Sequence, residues 1–440
     1  MMRRAFLLPS ARFVWLGVHC LCRGVRRRLW ACGLGSLVLG LVLYGPCVQA
    51  NVLNTQDTFF DGPVGQMNAL RVEDDRAFLF GHTSIWLGAG CIVEYSDNIS
   101  FESQSGLSDV ILRPNVYFRL MRPFTELNVL NIVGRVGTTR YMRHKQFNTQ
   151  FANITPDTAL RYVMQVGSLQ ITFLNRLSYA QDPTTSPLIN RTVNYSRFEN
   201  SAGLQFMQPF SDASLSLSLM RNDTIVLSEE FKSLGRVQYQ ADLAFIYRFG
   251  PGLSVGPTVG LATQTYKEKV QNDSRLWRLG LQATVKPSPY WTLTLSTAYN
   301  RWTFQPTGSI ADGSQSQSLV YSAALSHRLS ELTTHTLELN VKPRSGYGSN
   351  FFQDEQISYS IDTQLNEALR PKLDLAYQRI LTSVASPERS QRYLMNVTLD
   401  ARLFKDINTN LQLRRIRKVS NQPLKSYTEH RLILDLTYSF

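Results

Sequence analysis

The chain has 440 residues, 43% of them hydrophobic, and a mean hydropathy of −0.17. That is too polar for a bundle of membrane-spanning helices, but it suits a barrel in which only alternate residues meet lipid. The formal charge of +13 is inflated at one end. Taking the seven arginines of residues 1–50 from 46 basic residues leaves 39 against 33 acidic ones, so no nucleic-acid partner is expected.

Residues 1–50 contain no Asp or Glu. A basic stretch, Arg23 to Arg28, precedes an apolar run from Leu29 to Leu43, and Pro46, Val48 and Ala50 follow. This order predicts a secretory signal peptide cut near Ala50; the run is short for a spanning helix. Cys20, Cys22, Cys32 and Cys47 fall within it, leaving Cys91 alone in the mature chain, without an intrachain disulfide or a thiolate metal site. Residues 51–82 alternate poorly and carry Glu73, Asp74, Asp75 and Arg76. They are read as a periplasmic segment or small plug.

From Thr83 onward short and long connections take turns. Short ones are expected near 121–124, 166–169, 208–213, 249–253, 285–290, 329–333, 366–371 and 404–407, several with Pro or Gly. Long polar ones are expected over 96–108, 140–158, 181–197, 222–235, 266–274, 302–317, 343–355, 382–391 and 418–427. Between them run segments of alternating polarity. Val237, Tyr239, Ala241, Leu243, Phe245, Tyr247 and Phe249 form one apolar series, with Gln238, Gln240, Asp242 and Arg248 among the residues between. Side chains in a strand alternate between two faces, so each segment has one oily and one polar face. The expected fold is all-β: a transmembrane antiparallel up-and-down barrel of about 18 strands (16 to 18), residues 83–440, with both termini periplasmic. A propeller would need a recurring blade motif, and none recurs. The segment from Leu127 to Val136 is ambiguous, being apolar on both faces with Gly134 and Gly137, and could mark where a loop or the N-terminal segment packs inside.

The last strand alternates to the final residue. Leu432, Leu434, Leu436, Tyr438 and Phe440 share one face. This resembles the C-terminal signal strand of bacterial outer-membrane barrels, which the barrel-assembly machinery reads; outer-membrane lipid is then the surrounding phase.

With the apolar series facing lipid, the lumen is expected to be lined by Arg113, Tyr117, Arg119, Arg161, Arg176, Arg248, Arg278, Asp242, Asp400, Arg402, Arg414, Arg431 and Asp435. Arginine inside a pore favours anions, whereas charges paired across strands would only stiffen the wall. The basic run at Arg414, Arg415, Arg417 and Lys418 reads most simply as a solvated strand end. No catalytic group, cofactor or metal is expected. His327 and His335 should face each other across a short turn, but on the outer face, as interfacial side chains rather than ligands. No phosphate-binding glycine loop or zinc-helix motif is present.

Leu87-Gly88-Ala89-Gly90 leads into Tyr95-Ser96-Asp97-Asn98-Ile99. This segment resembles the β-barrel porin 2 family, a group similar to outer-membrane barrels encoded with exopolysaccharide synthesis and export systems. The expected function is a porin-like passive conduit for small polar or anionic solutes. The alternatives are the barrel component of exopolysaccharide secretion, with a polysaccharide partner, and a structural surface barrel or outer-membrane enzyme.

Overall fold

The computed structural model describes residues 78–104, 106–149, 152–181, 195–384, 386–422 and 424–440. The leader expected over residues 1–50 and most of the segment 51–82 lie outside the described residues. Twenty-one strands join one antiparallel sheet. Three of them are short pieces, Phe78–Phe80, Arg140–Tyr141 and Asn153–Ile154, so eighteen form the wall.

In chain order the wall strands are β1 Thr83–Ser96, β2 Asp109–Thr125, β3 Asn128–Gly137, β4 Ala159–Val166, β5 Leu169–Ala180 and β6 Arg197–Pro209. β7 Ala213–Val226, β8 Arg236–Gly250, β9 Leu253–Tyr266, β10 Ser274–Ser288, β11 Trp291–Phe304 and β12 Ser316–Arg328 follow. β13 Thr333–Ser345, β14 Phe351–Thr363, β15 Leu369–Thr382, β16 Arg389–Phe404, β17 Ile407–Ser420 and β18 Tyr427–Ser439 complete it. Each strand pairs with the next, and β18 pairs with β1, Arg431 opposite Ser96 and Ser439 opposite Gly88. Closure removes every sheet edge, as a wall surrounded by hydrocarbon requires. Phe440 adds one bond beyond the ladder, its N–H donating to the Leu87 carbonyl at 3.0 Å.

The alternation sorts the two faces as the chemistry dictates. Tyr239, Leu243, Phe245, Tyr247 and Phe249 are exposed on the outside of β8, while Gln238 is buried within. Eight connections lie at one end of the barrel and nine at the other, and those of the second set are longer except 346–350, which equals 364–368 at five residues. The first short turn is at 126–127 rather than 121–124, because β2 continues through Pro123 to Thr125. The connection expected over 343–355 shrinks to 346–350, its flanks being drawn into the β13–β14 ladder.

At the short-turn end, aromatic side chains collect on the outer face. Trp291 stacks on His327 at 3.8 Å between ring centroids. His327 stands opposite His335 in register. The His335 Nδ1 lies 2.6 Å from the Tyr359 hydroxyl. Ring stacking and a phenol thus occupy both imidazoles.

Candidate lumen site

Long loops fold inward at the opposite end. Phe101, in the loop after β1, packs against Ala376, Leu394, Ile416 and Tyr427, residues of β15 to β18 that alternate with the outward series. Its backbone is in the left-handed region, φ 55°, a conformation a bulky residue adopts only where surrounding contacts hold it. Burying the ring supplies roughly 1.5–3 kcal/mol toward that docking. Tyr141 and Phe147, from the loop after β3, pack on Ile99 and Ile111 in the same way.

Beneath Phe101 the inner wall is a band of charge. Arg344 Nε lies 2.6 Å from an Asp354 carboxylate oxygen. Gln378 donates to the other Asp354 oxygen at 2.7 Å, and Arg392 donates to Gln378 Oε1 at 3.2 Å. Arg414 stands opposite Asn396 on one side and Arg431 on the other. Arg431 donates to Glu429 at 2.7 Å and to Glu94 at 2.9 Å. Arg113 reaches Glu94 at 3.3 Å and Ser96 donates to Glu429 at 2.9 Å. Lys418 lies 2.8 Å from Glu388. Along β17, β18, β1 and β2, three cations (Lys418, Arg431, Arg113) thus meet three carboxylates (Glu388, Glu429, Glu94), with Arg392 and Arg414 beside them. Arg414 is buried, and its Nε and Nη1 make no hydrogen bond.

The other sequence-predicted residues fall in two groups. Arg278 and Asp242 form a 2.5 Å pair on the inner wall. Arg119 lies over the Trp86 ring at 5.2 Å and donates to Asn131. Arg161 stands opposite Asn131, and Arg176 opposite Ser201. Asp400 accepts from Asn410 at 2.5 Å and Asp435 from Thr437 at 3.3 Å. Tyr117 crosses to the closing strand, donating to the Tyr438 carbonyl at 3.2 Å. Arg248 and Arg402 differ: they donate to backbone carbonyls of short turns, Ser211 and Lys405, and sit at the barrel rim. Glu94, Glu429, Arg344, Asp354, Gln378 and Arg392 had no place in the sequence reading. Strand parity could have found them, but nothing in the sequence says which inward residues meet.

A second set of polar contacts ties the loops to one another. Asp312 accepts from the Asn350 N–H at 2.7 Å, the Ser314 N–H at 2.9 Å and the Ser383 hydroxyl at 2.5 Å. Asn272 donates to the Asp312 carbonyl and to Asn350 Oδ1, so three loops meet at the Asp312 carboxylate and a fourth at its main chain. Burial alone would raise the Asp312 pKa; the Asn350 N–H and the Ser383 and Ser314 donors outweigh it and hold the carboxyl below its ordinary range. Glu388 behaves alike: burial pushes it up, and Lys418 and Lys425 bring it below the usual carboxylate value.

No family model matches the chain, and no curated protein does. Solved structures resemble it at low identity. OpdQ of Pseudomonas aeruginosa aligns with a TM-score of 0.48 and 11% identity, over 82% of this chain and 100% of that one. OccK2 (OpdF) of the same organism, solved with glucuronate, gives 0.48 and 13%, over 83% and 100%. OccAB3 of Acinetobacter baumannii gives 0.46 and 9%, over 81% and 99%.

Proposed function

We propose that this barrel is an outer-membrane, porin-like passive conduit for small polar or anionic solutes. In this reading the long-loop end faces the outside and both chain ends face the periplasm. The last strand, ending at Phe440, is the segment read by the assembly machinery, and residues 1–50 are an export leader removed near Ala50. The observation that carries the anionic preference is Arg414. Its guanidinium is buried in the wall beside Arg431 and Arg392, so it acts on a passing anion through the positive field of this cluster rather than by direct contact. Solutes are selected by size, through the loops led by Phe101, and by charge, through the arginine band. Arg113, Tyr117, Arg119, Arg161, Arg176, Arg278, Arg414 and Arg431, with Asp242, Asp400 and Asp435, serve as the lumen lining.

Exopolysaccharide export would call for a continuous aromatic track along the lumen. Among the described residues the buried aromatics of the wall strands are Tyr117, at mid-strand, and Tyr266, Trp302, Phe304, Phe352 and Tyr427, toward the long-loop end, so small solutes are the better supported cargo. Planar-bilayer recording of the purified barrel tests the reading. Discrete channels with a reversal potential favouring chloride over potassium are expected. A barrel that inserts and never conducts would sink the porin proposal and leave a structural surface barrel.

A further inference from the structure

The outer wall carries a charge asymmetry that solute passage does not use. Counting by strand parity, the outward-facing arginines of the long-loop half are Arg140, Arg221, Arg275, Arg301, Arg379, Arg389, Arg415 and Arg417, all exposed. At the short-turn end the outward arginine among the described residues is Arg122, which lies over Phe124. Outward carboxylates answer only part of this: Asp223 pairs with Arg221 at 2.9 Å and Glu355 with Arg379 at 3.4 Å. Solvated charges serving solubility alone would not collect at one end of an otherwise apolar wall.

Just inside this belt lies a groove of about 800 Å³ on the outer face. Its floor is one register row across six strands: Phe173, Leu204, Leu219, Ala241, Leu261 and Trp277. Ala241 is the small residue in that row, between Leu219 and Leu261, and it makes the hollow. The next row toward the long loops holds Arg221, Tyr239, Thr263 and Arg275, again in register. Arg221 lies over the Tyr239 ring at 5.6 Å. Arg221 and Arg275 are three strands apart, roughly 14 Å at the usual strand spacing. The hollow is therefore apolar at its floor, with Arg275 at its head beside Arg221, whose Nε and Nη2 also bind Asp223 at 2.9 and 3.0 Å.

We infer that this groove is a binding site for the phosphorylated glycolipid of the outer leaflet, one acyl chain lying over Ala241 and a phosphate held between Arg221 and Arg275. The assignment rests on the orientation proposed above, in which the long-loop end is outermost. A wall facing hydrocarbon offers no hydrophobic drive for a protein partner to leave lipid. A symmetric contact between two copies through this groove would also set the same arginines against each other. A lipid carrying anionic head and flexible tail satisfies both halves of the site. Guanidinium is the side chain suited to phosphate, binding it through two parallel donors.

Native mass spectrometry of the barrel extracted from outer membranes in mild detergent tests this. Three variants are compared with wild type: R221Q/R275Q, A241F to fill the hollow, and R122Q as the control at the other end. Heat-modifiable gel mobility and bilayer conductance report folding and the channel separately. Wild type and R122Q should retain the glycolipid, and the other two should lose it by about tenfold or more, the scale of two charge-assisted contacts, with conductance kept. Equal glycolipid in all four overturns the site and leaves the porin reading standing. Retention of a phospholipid in place of the glycolipid overturns the orientation. Loss of a higher oligomer in A241F, with glycolipid unchanged, overturns the lipid as occupant in favour of a second copy.

Discussion

The ring of Tyr117 lies over Gly88, so close that a Cβ at position 88 would overlap its hydroxyl end, at Cζ and the oxygen. From there the Tyr117 hydroxyl reaches the Tyr438 carbonyl at 3.2 Å and the Ser439 hydroxyl at 2.7 Å. The contact joins β2 to β18 across β1, at the seam where the barrel closes. The glycine of the Leu87-Gly88-Ala89-Gly90 segment is thus explained by space rather than by turn geometry.

Gly88→Ala should therefore weaken closure, by about 1–3 kcal/mol for overpacking. Tyr117→Phe, which keeps the ring and removes the hydroxyl, should cost about 1 kcal/mol. Midpoints of urea-induced loss of the heat-modifiable band measure both. Gly88→Ala as stable as wild type would show that Tyr117 has room to move.

Arg414→Gln should reduce the anion preference of the channel while leaving its conductance and folding near wild type. The buried guanidinium is flanked by Arg431 and Arg392, so its removal relieves repulsion as well as weakening the positive field an anion meets. Reversal potentials across a salt gradient decide the matter. An unchanged chloride-to-potassium ratio would mean that anions pass elsewhere.

Phe101→Ala should release the first loop from the inner wall. Truncating a packed Phe costs about 3–5 kcal/mol, enough to shift a docked loop by a factor of about a hundred or more. Higher single-channel conductance with more frequent flicker is expected. Conductance equal to wild type would place the narrowest point away from Phe101.

The loop cluster at Asp312 should loosen in acid. Its folded carboxyl lies below the unfolded value of 3.8. Its contribution is therefore complete above that value and disappears as pH falls through the lower folded one. Glu388, also depressed, adds to the same trend from an unfolded value of 4.5. Protease cleavage in residues 305–315 should be absent at neutral pH and appear only once the pH has fallen below 3.8. Asp312→Asn, which leaves the donors of Asn350 and Ser314 poorly answered at a cost of about 1–3 kcal/mol, should be cleaved already at neutral pH. Identical protection of wild type at both pH values would remove the carboxylate from this role.

Phe440→Ser should slow insertion more than it lowers final stability. The backbone bond of Phe440 to Leu87 survives the change, and the ring's partner is the outward Tyr438, edge-on at 5.0 Å. Refolding kinetics with and without purified assembly machinery separate the two effects. A matching loss in both would make Phe440 a packing residue only.

The barrel was legible in the linear chain because its rule is local. A strand facing lipid outside and water or polar groups inside must alternate with period two, and chain reversals need turn chemistry. Both signals survive in sequence, as the β8 series from Val237 to Phe249 and the eight short turns illustrate. Strand number and lipid face follow from that rule alone. Which inward residues meet does not. Glu94 and Arg431 are 337 positions apart and join at 2.9 Å only because β18 closes on β1. Phe101 finds Leu394 and Ile416 only when its loop turns inward, and the groove over Ala241 exists only once six strands are set in register. Periodicity fixes direction along one strand; contact across the barrel depends on closure, register and loop packing, which are properties of the assembled wall.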